Sequence, residues 1–161
     1  MTTHTATVAL ETSRSTSLAL PLLVLTGRAF YAAIFIIAAL GHFSPQMVAF
    51  AAQQGVPLAP LAVPLSGVIA LLGGLSVLTG YHARIGAGLL VVFLVPVTLM
   101  LHAFWVVQDP MMAQIQQAMF LKNLSMLGGA LLIAYFGAGP LSLDSRRTGG
   151  HFAAYRHVLP D

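Results

Sequence analysis

The chain has 161 residues, 58% of them hydrophobic and only 7% charged, with no cysteine and a formal net charge of +3. A mean hydropathy of +0.88 excludes an ordinary soluble domain, and the missing thiols exclude disulfides, thiolate metal sites and iron–sulfur clusters. The seven basic residues are scattered rather than clustered, which argues against a nucleic-acid partner.

Continuously apolar runs of about twenty residues, the length a helix needs to cross the bilayer core, recur four times. They lack the alternation of a membrane strand, so the fold class is all-α: a polytopic four-helix transmembrane bundle. Residues 1–17 are rich in Thr and Ser and read as a cytoplasmic tail, leaving residues 18–140 for the bundle. Pro21 and Arg28 interrupt the first apolar run, which places the crossing at residues 25–43 with residues 18–24 along the interface.

Ser44-Pro45 couples a capping hydroxyl to proline at the first helical position, and Gly55-Val-Pro57 is a stop. The helix between them is too short to span and is expected as an interfacial or re-entrant segment on the extracytoplasmic side. The second crossing is expected at residues 61–80, with Pro64 in its first turn. The third is expected at residues 85–107, kinked at Pro96, after a tight connection at Tyr81-His-Ala-Arg84. Residues 108–117 read as a polar linker, residues 118–136 as the fourth crossing, and Gly137-Ala-Gly139-Pro140 as its stop. Residues 141–161 form a cytoplasmic C-terminal tail. Paired glycines in Leu71-Leu-Gly-Gly-Leu75 and Met126-Leu-Gly-Gly-Ala130 suggest either a duplicated hairpin or two tight helix contacts.

Four crossings put both termini on one side. Arg14, Arg28, Arg84, Arg146, Arg147 and Arg156 fall there and only Lys122 opposite, so the positive-inside rule places both termini in the cytoplasm.

Arg28, Tyr31, Phe35 and His42 share one face of the first crossing, because their spacing follows the helical repeat. Thr98, His102, Trp105 and Asp109 follow the same rule on the third. Lys122 and Asn123 open the fourth crossing, with Ser125 and Gly129 continuing the face of Lys122. Depth separates these groups: His42, His102, Lys122 and Asn123 lie toward the outer surface, and Arg28 lies about 21 Å deeper than His42. Ionisable groups avoid lipid, so the outer set with Trp105 as an aromatic wall is a candidate ligand site, with Arg28 and Tyr31 below it. Plainer roles are available to each: Arg28 and Lys122 snorkelling to phosphates, Trp105 anchoring at the interface, the histidines bonding helix ends. His4, His82, His151 and His157 are assigned no chemistry. A haem held by His42 and His102 is disfavoured, because the only such pair would leave the haem partly wet.

The second crossing carries a small-residue stripe at Ser66, Ala70, Gly73 and Val77, and no acidic group lies in any span, which argues against a proton-coupled carrier.

Gly27-Arg28, Gly41-His42-Phe43, Gly55-Val-Pro57, the run from Gly67 to Gly74, Gly80 before Arg84, His102-Ala-Phe-Trp105 and Phe120-Leu-Lys-Asn123 together resemble the DoxX family over residues 25–143. The resemblance implies a four-helix bacterial inner-membrane protein associated with quinone-linked oxidoreductase systems. In that family a glutamate often precedes the paired glycines; here the position is Ala70. On that footing the expected function is an accessory subunit of a redox system receiving a quinone headgroup at the outer site. The alternatives are a non-catalytic membrane anchor or assembly subunit of a larger complex, and a small-solute transporter or channel; a protein partner or a homo-oligomer is expected. The chain lacks a nucleotide motif, a metal-grade cluster and a nucleophile paired with its base, so completing a reaction would need a partner. Membrane lipids are the remaining partners.

Overall fold

The structure, a computed structural model, describes residues 2–147, and side chains from residue 19 onward. Its elements are α1 (Thr2–Gly41), α2 (Pro45–Gln53), α3 (Ala59–Thr79), α4 (Ala83–Leu101), a 3-10 turn (Phe104–Val106), α5 (Pro110–Phe136) and α6 (Leu143–Arg147). No strand occurs among the described residues. Four stretches are long and apolar enough to cross a membrane: Ala19–Gly41, Ala59–Thr79, Ala83–Val106 and Pro110–Phe136. The protein is an all-α membrane protein. The sequence expectations placed on Arg14, Arg156, His4, His151 and His157 fall outside the described side chains.

Glycine sets how closely the crossings approach. α1 packs on α3, α3 on α4, and α4 on α5. A Cβ on Gly74 would meet the α1 residues Phe35 and Ile36, and one on Gly73 would meet Leu90 and the Gly86 carbonyl of α4. Adjacent glycines therefore serve two neighbouring helices at once, the close backbone approach that membrane packing favours. The core is Phe35, Leu90, Phe93, Leu94 and Val77 among alanines, including Ala70. The glycine echo in α5 does different work: Gly129 makes room for the Tyr31 ring, while Gly128 faces open space.

The helix ends follow local chemistry in most places. Ser44 is the N-cap of α2, its hydroxyl accepting from Met47 N–H at 3.2 Å, with Pro45 next. The same signal governs α5. Asp109 accepts from Met112 N–H at 2.7 Å and Pro110 opens the helix. The expected polar linker at residues 108–117 is therefore mostly the first two turns of α5; the glutamines there made a helix end look like a loop. Asp109→Ala should cost about 1 kcal/mol of stability, read as a lower unfolding temperature in detergent micelles.

Two other boundaries differ from expectation. α1 is continuous through Pro21 and Arg28, and its backbone is helical from Thr2, because Ser and Thr weaken a helix without forbidding it. α4 ends at Leu101, short of the expected residue 107. His102 leaves helical geometry at φ −125°, and Ala103 at φ −75°, ψ 72° forms an inverse γ-turn closed by Phe104 N–H on the His102 carbonyl at 2.9 Å. The cause is tertiary. Phe104, Trp105 and Phe120 pack edge-on around one another with centroids 5.2 to 5.8 Å apart, drawing the chain across onto α5.

Candidate functional site

The crossings leave two places where polar chemistry is held inside the protein, one at each end of the bundle.

At the arginine-bearing end, Arg28 is 5% exposed although it carries a full charge. Its Nη1 donates to the Ala138 carbonyl at 2.7 Å, and its Nη2 donates to the carbonyls of Leu141 at 3.0 Å and Leu78 at 3.3 Å. These acceptors sit near the C-terminal ends of α3 and α5, where helix carbonyls lack intrahelical donors and the dipole favours a cation. Asp144 of α6 completes the end: its carboxylate accepts from His82 N–H at 2.8 Å and Ala83 N–H at 3.1 Å, capping α4 from 62 residues away. α4 needs this outside carboxylate because its N-cap, His82, supplies no side-chain bond of its own. Arg147 lies over the Tyr81 ring, 5.3 Å from its centroid. Arg28 thus ties α1 to the end of α3 and to the turn after α5 through three carbonyls, a structural role for the deepest of the expected site residues.

Above it, an aromatic line runs through the interior. Tyr31 donates its hydroxyl to the Met126 carbonyl at 2.7 Å, packs on Phe35, and Phe35 meets Phe93. Phe93 in turn meets the ring of His42. The stripe Arg28, Tyr31, Phe35 and His42 faces inward along its whole length, as lipid surroundings demand.

At the opposite end, α2 folds back over the start of α3 and roofs a cavity of about 250 Å³. His42, Met47, Val63, Ser66, Pro96 and Met100 are among its lining residues. His42 is 6% exposed, and its Nδ1 lies 3.0 Å from the Ala38 carbonyl one turn back. A Cβ on Gly67 would collide with the His42 side chain, so that glycine fixes how His42 seats against α3. Apart from His42 and Ser66 the lining is apolar.

The remaining expected site residues do not gather around this cavity. His102 caps the end of α4 and pairs its Nδ1 with Gln116 Oε1 at 2.8 Å. Trp105 is 57% exposed within its aromatic trio. Lys122 is exposed on α5 while its neighbour Asn123 is buried, so the two point to different surroundings. Of the outer set, His42 alone lines the cavity. Among the described residues no group of three or more His, Asp or Glu side chains could hold a metal ion.

Sequence reasoning missed Ser66 as a residue of the cavity lining because its spacing marked it only as a small packing residue. The signal that could have found it was Gly55-Val-Pro57, which turns α2 back over the first turns of α3.

Residues 62–148, more than half the chain, match the SURF4 family. The chain belongs to the SURF4 family. This corrects the resemblance to the DoxX family, which is a different one, and with it the expected role as a quinone-linked redox subunit. The misassignment has a physical origin: part of the pattern that carried it, Gly67, Gly73 and Gly74, is set by close helix packing, which favours small residues in membrane bundles generally. The matched segment of this SURF4-family chain runs from early α3 past α6, so it includes the Asp144 cap and much of the cavity wall. No curated protein and no solved structure matches the chain.

Proposed function

We propose that this SURF4-family chain is a membrane-embedded binding protein that holds the apolar part of one small ligand in the cavity beneath α2. The observation that carries this reading is the cavity itself, about 250 Å³ of mostly apolar space roofed by a helix too short to span. An apolar cavity of about 150 Å³ holds benzene, and drug-sized ligands occupy roughly 300 Å³ or more. The space therefore suits an alkyl chain or a single ring. The surrounding bilayer supplies such groups at high local concentration.

Orientation is part of the same proposal. Arg28, Arg84, Arg146 and Arg147 lie at one end of the bundle and the cavity at the other, so the positive-inside rule turns the arginines to the cytoplasm and the cavity to the outer leaflet.

A photoreactive decyl diazirine added to the protein in lipid nanodiscs tests the reading. Cross-links are expected at Met47, Val97 and Met100, and Ala62→Phe, which pushes a ring into the space, should cut them about fivefold while lipid-facing Leu131 labels as before. Equal labelling of cavity residues in both proteins would show that the cavity takes no alkyl chain.

A further inference from the structure

The polar groups that reach the cavity share one chemical property. The Ala38 carbonyl can only accept a hydrogen bond, so His42 Nδ1 carries the proton that joins them, and in the neutral imidazole Nε2 is then the acceptor. Among the described residues nothing bonds Nε2. Ser66 spends its hydroxyl hydrogen on the Val63 carbonyl at 2.7 Å, which leaves only lone pairs to offer. Backbone donors along the wall are spent as well. Val56 N–H bonds the Ala51 carbonyl at 3.0 Å, Ala62 N–H bonds that of Leu58 at 2.9 Å, and Met47 N–H bonds Ser44 Oγ. Pro57 and Pro96 have no N–H to give.

We infer that the cavity selects a neutral amphiphile whose polar end donates a hydrogen bond, a lipid alcohol, and rejects ligands whose polar end only accepts. This inference rests on the cavity being a ligand site and adds the ligand's class. An alkyl alcohol fits both halves of the lining: its chain occupies the apolar space, and its hydroxyl donates to His42 Nε2 or Ser66 Oγ. A carboxylate or phosphate ester would face lone pairs with no donor or cation beside it, and burying an uncompensated anion costs several kcal/mol. A quinone or an ether, which accepts only, sets lone pair against lone pair.

The experiment is competition against the decyl diazirine in nanodiscs holding the native protein. The competitors are 1-decanol, decyl methyl ether, decanoate and decane, each set to equal mole fraction in the bilayer. Decanol is expected to halve cavity labelling at about one tenth the mole fraction the ether requires, the equivalent of one well-made hydrogen bond, with decanoate weaker still. If the ether matches decanol, or decanoate surpasses it, the donor rule is wrong although the cavity remains a ligand site. If even decane fails to compete, the cavity reading falls with it. Ser66→Ala, which removes one acceptor with little change of shape, should narrow the decanol preference about threefold and leave decane unchanged. An undiminished preference in Ser66→Ala, together with one in His42→Leu, would overturn the assignment of these two groups.

Discussion

Replacing Arg28 by alanine is expected to lower stability by about 3 kcal/mol or more and to release the segment that follows α5 from the rest of the bundle. The guanidinium satisfies carbonyls of Ala138, Leu141 and Leu78, and each becomes a buried acceptor without its donor when the side chain is removed. Hydrogen bonds to a charged group contribute about 1.5–3 kcal/mol each, and their loss is partly offset where water reaches the vacated site, so the sum stays well below three full bonds. Arg28→Lys keeps the charge but offers a point donor in place of a planar fork, and should recover less than half of the loss. Two measurements separate this role from simple snorkelling to lipid phosphates. Hydrogen exchange at the amides of His82, Ala83 and Asp144 should speed up in Arg28→Ala, because α6 and its capping carboxylate are held by the Leu141 turn that Arg28 anchors. Unchanged exchange there, with only a small fall in unfolding temperature, would mean that Arg28 does no more than reach the interface.

That role could not be read from sequence, because the partners of Arg28 lie 50 to 113 residues away and are all carbonyls, which every residue possesses. Spacing put Arg28 on the inward face of α1, and nothing in it named what waits there. The spans themselves were legible, since length and apolarity alone decide whether a helix can cross. Helix starts were legible where a capping side chain precedes proline, at Ser44-Pro45; the identical logic at Asp109-Pro110 was obscured by Gln114, Gln116 and Gln117.

The end of α4 was not legible. No glycine or proline marks Leu101, and the break depends on the Phe104 and Trp105 rings finding Phe120 on another helix. Carrying helical periodicity past that point put His102, Trp105 and Asp109 on one face and so assembled an outer cluster that three-dimensional packing divides. The cavity was hidden for a related reason. It arises where α2, α3 and α4 meet, and only His42 among the residues marked by their chemistry happens to border it.

The glycines offer a sharper test of the packing, because the same substitution should have opposite signs at two positions. In a helix interior, alanine is favoured over glycine by about 0.5–1 kcal/mol through backbone entropy alone. At Gly88 on α4 nothing lies within 4 Å of a new Cβ, so Gly88→Ala should stabilise by up to about that amount. At Gly73 a Cβ would lie 2.8 Å from Leu90 Cδ2 and 2.9 Å from the Gly86 carbonyl oxygen. The leucine could turn aside, but the carbonyl is backbone of the facing helix and moves only if α3 and α4 part. Leu90 is itself fully buried in the core, so even its movement displaces other side chains. Overpacking of this kind costs about 1–3 kcal/mol for one methyl, which exceeds the entropic gain, and Gly73→Val should cost more than Gly73→Ala because two further methyls enter the same gap. Reversible unfolding in mixed micelles would rank the variants: Gly88→Ala above the native protein, Gly73→Ala below it, Gly73→Val lowest. If Gly73→Ala proved as stable as Gly88→Ala, α3 and α4 would not be in backbone contact at that level, and the helix order that carries His42 and Ser66 to one cavity would have to be redrawn.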